Sequence, residues 1–184
     1  MEFTLHYRGD LKPNRGPKDK QSLRRHFHAQ LAVLWQQIPL NEKKKLLDKE
    51  PAKGEVSIIK SVNGFDFAPL VNEKLNLIAE LKITLLRPEP PGSIITQAGD
   101  IDNRLKTLFD ALKVPTEPSA IPSDEAPKEG ETPFYCLLED DNLITKVSVE
   151  TDRLLYKCRS SSEVEMLIHV TTKATKLSWA NMGF

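Results

Sequence analysis

Leu75-Asn76-Leu77-Ile78-Ala79-Glu80-Leu81-Lys82-Ile83-Thr84-Leu85 is the stretch on which the fold turns. Leu75, Leu77, Ala79, Leu81, Ile83 and Leu85 recur at every second position, with Asn76, Glu80, Lys82 and Thr84 between them. A period of two puts the first set on one face of a β-strand and the second on the other, so the spacing predicts a strand with one buried and one solvated side. Pro88, Pro90 and Pro91 end it, since proline cannot donate to a ladder. Upstream, residues 56–62 and 65–68 flank Asn63-Gly64, a pair that accepts the positive φ angles of a tight hairpin turn. Phe3, Leu5 and Tyr7 alternate with Thr4 and His6, and residues 143–149 and 164–170 alternate similarly. Each predicts a further strand.

Helical periods lie between these strands. Leu23, Phe27, Leu31, Leu34, Trp35 and Ile38 recur at steps of three and four, which predicts an amphipathic helix over 22–37 that closes before Pro39 and carries Phe27 and Trp35 into the core. Residues 8–20, broken by Pro13, Gly16 and Pro17, read as a loop, and 41–49 as a short polar helix capped by Asn41. Residues 114–133 hold five prolines and five acids without apolar periodicity. That composition predicts a long, exposed and mobile insertion. The expected fold is α+β: one domain over residues 1–184, with a mixed sheet of about five or six strands packed by two or three helices.

The chain's 184 residues include 26 basic and 26 acidic side chains, so its formal charge is zero. The distribution is polar all the same. Residues 8–28 carry seven basic side chains against two acids, a net +5, and residues 114–141 carry eight acids against Lys128, a net −7. A basic arm and an acidic patch suit a polyanion and a divalent cation. Cys136 and Cys158 are too few for a disulfide framework and fit a reducing compartment. No apolar run approaches the ~20 residues that span a bilayer, and Met1–Leu5 lacks a signal-peptide layout. A cytoplasmic protein with no membrane partner is the expectation.

The chemistry concentrates in Gly99-Asp100-Ile101-Asp102-Asn103-Arg104-Leu105-Lys106-Thr107-Leu108-Phe109-Asp110-Ala111-Leu112. Ile101, Leu105, Leu108, Phe109 and Leu112 trace one helical face, whereas Asp102, Lys106 and Asp110 at i, i+4 and i+8 share another. An extended backbone just before the helix brings Asp100 to the side of Asp102, with Lys106 one turn along. Oxygen-rich sites with room for water are what Mg²⁺ or Mn²⁺ prefers, and Glu139-Asp140-Asp141 offers a third carboxylate. Lys18, Lys20, Arg24 and Arg25, with Asn103, are the candidate nucleic-acid contacts. His26 and His28 point about 200° apart on a helix and do not share a metal. Trp179 and Phe184 lie in a polar tail and suit docking on this domain or on a partner.

The series Asp100-x-Asp102-Asn103-x-x-Lys106, then Phe109-Asp110-Ala111-Leu112, then Asp140-Asp141, resembles the signature of the RusA-type Holliday junction resolvases, metal-dependent endonucleases of bacteria and their phages. The first strand, the basic loop with Pro13 and Asn14, and the helix after it are also similar. The resemblance implies that Asp100, Asp102 and Asp141 are catalytic metal ligands with Asp140 beside them. It also implies that Lys106 is the functional lysine, and that the protein is a homodimer cutting branched or structured DNA with Mg²⁺, or Mn²⁺ as substitute. The chain differs in being longer and neutral, and in the long link before Asp140. Two other functions fit the same residues: a non-catalytic, resolvase-like dimer binding DNA or protein, and a metal-dependent phosphohydrolase acting on RNA or nucleotides.

Overall fold

Along the chain, β1 (Glu2–Asp10) leads to α1 (Pro17–Leu34), two short 3-10 turns (Leu40–Glu42 and Lys44–Leu47), and the strands β2 (Lys60–Val62), β3 (Phe65–Val71) and β4 (Leu77–Arg87). The helix α2 (Ile101–Leu112) follows, and then β5 (Phe134–Leu138), β6 (Ile144–Arg153) and β7 (Glu163–Ala174). The computed structural model describes residues 1–12, 15–88 and 101–184. Two helices and seven strands among these residues make the α+β class that was expected, but the strands divide between two sheets. One runs β1-β7-β4-β6 and the other β2-β3-β5. No helix among the described residues is long and apolar enough to cross a membrane.

The alternation of 75–85 puts β4 inside the larger sheet, antiparallel to β7 and parallel to β6. Leu77, Ala79, Leu81, Ile83 and Leu85 are buried against the helices with Val164, Met166, Ile168 and Val170 of β7. The opposite face is solvated, and its charges pair across strands: Lys173 with Glu80 at 2.6 Å and Lys82 with Glu150 at 3.3 Å. β1 pairs with β7 along its length, from Glu2 opposite Thr171 to Asp10 opposite Glu163. The Asn63-Gly64 turn forms as expected, with φ of 46° and 80°.

Several expectations are corrected. Residues 8–20 are not a continuous loop: β1 runs to Asp10 and α1 already begins at Pro17. Pro17 opens the helix because a first-turn residue needs no intrahelical N–H partner. The helix ends at Leu34 rather than at 37, and 41–49 forms 3-10 turns anchored by Leu40 and Leu46, because it has no apolar stripe long enough to hold a regular helix on the core. The hairpin's first strand is only Lys60–Val62. On α2 the buried side chains are Arg104, Thr107, Leu108, Ala111 and Leu112, while Ile101, Leu105 and Phe109 flank that face.

The largest correction concerns 114–133, which is docked rather than free. Val114 and Ile121 join Phe65, Phe67, Phe134 and Cys136 in a second apolar cluster, and Arg24, Arg25 and Lys18 of α1 bond to the segment. Few apolar residues suffice because the partner cluster is supplied by β3 and β5. Ile121, only 2% exposed, is its main anchor. Ile121→Ala should lower the free energy of urea unfolding by about 2–4 kcal/mol, the range for an aliphatic truncation in a packed core. A loss below about 0.5 kcal/mol would return the segment to the status of a passive loop.

Candidate functional site

The N-terminal half of α2 presents Asp102 and Lys106 on one exposed face, one turn apart. Amphipathicity sets this orientation, since Leu108, Ala111 and Leu112 turn the opposite face into the core. The Asp102 Oδ1 accepts a hydrogen bond from the Asn103 N–H at 2.8 Å. The Asn103 carbonyl accepts from the Thr107 hydroxyl at 3.1 Å, which steadies the same turn. Asp110, two turns beyond Asp102, accepts from the Lys20 ammonium at 2.7 Å. Asp100 lies outside the described residues.

The paired acids are built by a different corner. β5 delivers Glu139, whose carboxylate is held by the Glu73 N–H at 2.9 Å and by the Lys60 ammonium. Asp140 accepts from the Asn142 N–H at 3.0 Å and so caps the turn Asp141–Leu143. Lys113, the residue after α2, places its ammonium 3.0 Å from Asp141 and 3.9 Å from Asp140. Partial burial pushes the Asp141 carboxyl up, but its contacts with Lys113 and Asp140 outweigh that and hold it below the usual carboxylate range.

The two corners are at opposite ends of α2. The structure brings Asp140 and Asp141 to Lys113, and from Asp102 to Lys113 the helical rise is about 16 Å. Among the described residues no group of three His, Cys, Asp or Glu is arranged to hold a metal. Sequence reasoning missed Lys113, whose role depends on a strand end brought to it from beyond the 114–133 segment.

The basic arm is largely consumed by acids. Lys18 lies 2.9 Å from Asp124, and Arg25 reaches Glu125 at 2.5 Å and Glu131 at 2.7 Å. These contacts raise the pKa of both cations: for Lys18 through its hydrogen bond to Asp124, and for Arg25 mainly through its bond to Glu131 against the cost of partial burial. Arg24 is corrected as a surface phosphate contact. It is 3% exposed, its guanidinium donates to the Ala120 and Asp110 carbonyls and to Gln21, and burial lowers its pKa to about 10. A cavity of about 500 Å³ opens beside the arm, lined in part by Arg8, Arg15, His26 and Thr107. Thr107, on the buried side of α2, is the helix's contribution to its lining.

His26 and His28 serve packing. His26 is exposed, and its Nε2 lies 2.8 Å from the His6 carbonyl. His28 Nδ1 accepts from the Tyr135 N–H at 2.9 Å, so its Nε2 carries the proton facing the Gly130 carbonyl at 3.2 Å. Burial pushes the Cys136 thiol up and makes it inert, and Cys158 is also unbridged. No protein-family model matches the sequence, and no curated protein or solved structure is detectably similar to it.

Burial holds the His28 imidazole below its usual range, although hydrogen bonds to Gly130 and Tyr135 and the nearby Glu131 act the other way. The unfolded chain therefore takes up this proton more readily. His28 contributes its stability in full above the unfolded pKa of about 6.5, and the contribution is lost as pH falls through the lower folded value. The urea midpoint should drop between about pH 7.5 and pH 5 and drop less in His28→Gln. Equal slopes for the two proteins would remove His28 as the cause.

Proposed function

We propose that the protein is a divalent-metal-dependent endonuclease acting on branched or structured DNA in the cytoplasm as a homodimer, in the manner of the RusA-type resolvases its residues resemble. The observation that supports this reading most is the shared exposed face of Asp102 and Lys106 at the start of α2. A carboxylate with oxygen open to water fits a hard cation, and a lysine one turn away fits a phosphate beside it. Asp102 with Asp100 would hold Mg²⁺ or Mn²⁺. When bound, such an ion polarises the phosphate and lowers the pKa of its water.

The chain's own groups divide the remaining work. Lys106 offsets charge that builds on the phosphate, and Asn103 and Thr107 keep that turn of α2 in register. Arg8 and Arg15, in the neighbouring cavity, give the backbone of the nucleic acid a place to lie. Joining Asp140 and Asp141 to the site would take both release from Lys113 and a movement along α2. A second reading, a phosphohydrolase acting on RNA or nucleotides, is favoured by one observation: the pairing of Lys18, Lys20 and Arg25 with acids leaves few cations for a long duplex.

A cleavage panel of four-way junction, flap, duplex, single-stranded DNA and RNA with Mg²⁺ or Mn²⁺ tests both readings. Turnover should vanish in EDTA and fall at least ~10²-fold in Asp102→Asn and in Lys106→Ala, as expected when several kcal/mol of charge stabilisation is removed. Full activity in EDTA, or in Asp102→Asn, would end the metal-dependent reading. Cleavage confined to RNA or nucleotides would select the second one.

The ion pairs of the arm give a separate test. Asp124→Asn combined with Glu125→Gln frees Lys18 and loosens the hold on Arg25. DNA affinity should then rise at low salt, with the salt slope steeper by roughly 0.9 for each additional phosphate neutralised. An unchanged slope would assign the arm to structure alone.

A further inference from the structure

At the C-terminal end of α1 lies a cavity of about 530 Å³ whose walls include Trp35, Gln36, Asn41, Lys44, Thr132 and Tyr135. The cavity has an aromatic wall. The Trp35 and Tyr135 rings stack at 5.6 Å between centroids and 26° between planes, and Tyr135 stacks in turn on His28 at 5.7 Å and 12°. Burial raises the pKa of the Tyr135 hydroxyl, so the ring presents a neutral phenol.

Among the described residues, two of the lining side chains hold polar atoms with no hydrogen-bond partner. Trp35 is only 4% exposed, and its indole N–H has no acceptor. The Asn41 Oδ1 is also sealed from water and has no donor. Buried polar groups in folded proteins nearly always find partners, and an orphan calls for an explanation such as a missing ligand. Here one orphan is a donor, the other is an acceptor, and both belong to the wall of the same aromatic cavity. Lys44 stands exposed at the rim, with no ion pair among the described residues.

We propose that this cavity binds a nucleobase, carried either by a free nucleoside monophosphate or by an unpaired nucleotide of a single strand. A base is flat and stacks on aromatic side chains. Its edge sets a hydrogen-bond acceptor next to a donor in the plane of the ring, which matches the indole N–H and the amide oxygen once a small side-chain rotation opens the wall. An apolar ligand would leave both atoms unmet. A sugar phosphate would use Lys44 but not the rings. The volume falls in the usual range for small-molecule sites, and the Lys44 ammonium suits the attached phosphate.

The test uses the full chain with Trp179→Phe, which leaves Trp35 as the only indole; Trp179 is 86% exposed and lies outside the cavity. All titrations are made in EDTA, so the outcome is separate from any nuclease activity. Adenosine 5′-monophosphate and thymidine 5′-monophosphate are compared with ribose 5-phosphate, and a short single-stranded oligonucleotide with its duplex. At least one nucleotide or the single strand should change Trp35 fluorescence saturably at or below ~1 mM, while ribose 5-phosphate and duplex do not. Tighter binding of the single strand than of the monophosphates would identify an unpaired base as the source, and the reverse order a free nucleotide.

By calorimetry, Trp35→Phe and Asn41→Ala should each weaken binding roughly three- to tenfold, the loss expected for one neutral hydrogen bond. Their thermal unfolding checks that each variant is folded, and either one alone is sufficient to read. The proposal is overturned by absence of saturation up to ~5 mM with every base-bearing probe. Equal binding of ribose 5-phosphate, or unchanged affinity in both folded variants, would overturn it as well.

Discussion

The guanidinium of Arg24 fixes how the two helices and the 114–133 segment meet. Removing a charge from water costs several kcal/mol unless partners replace the solvent. Here the Ala120 and Asp110 carbonyls and the Gln21 side chain accept from its two terminal nitrogens. Asp110 is in the last turn of α2, where carbonyls lack intrahelical donors and the helix dipole is negative. The cation therefore serves as the cap of α2 as well as the strut of α1. With Arg24 in place, Lys20 falls beside Asp110 and Arg25 beside Glu125 and Glu131. The register of the α1–α2 contact and the position of the acidic segment follow from one buried group.

The same arrangement brings the +5 arm and the −7 segment of a neutral chain together. The two regions meet across α1, so their fields cancel locally rather than only in the total. Asp102 and Lys106 stay exposed on α2, whereas Arg8 and Arg15, which line the neighbouring cavity, pair with Glu163 and Asp19.

Much of the scaffold was legible in the sequence because its signals are local. β4 announces itself by alternation, Asn63-Gly64 by its backbone needs, and α2 by its apolar repeat. β5 was not legible. Together with β3 it is buried on both faces, so Phe134-Tyr135-Cys136-Leu137-Leu138 shows no alternation and resembles any short apolar run. The docking of 114–133 rests on Val114 and Ile121 meeting phenylalanines distant in sequence, which no window of composition reveals. The candidate site was legible in part. The shared face of Asp102 and Lys106 follows from helical spacing, whereas the partner of Asp140 and Asp141 follows from where a strand ends. Arg24 read as surface charge because burial of an arginine is decided by carbonyls that other segments supply.

The pairing of β1 with β7 carries a consequence for how the protein is made. Glu2 faces Thr171 and Phe3 faces Val170, so a strand synthesised early waits for one synthesised late. β4 waits for the same partner, and its antiparallel edge stays open until β7 arrives. Contacts of such long sequence separation slow folding and expose unpaired edges in the interval. On the ribosome, the larger sheet cannot close until residues 163–174 have cleared the exit tunnel. Until then the β4 edge that pairs with β7 is left unpaired, which is the kind of surface that holding chaperones bind.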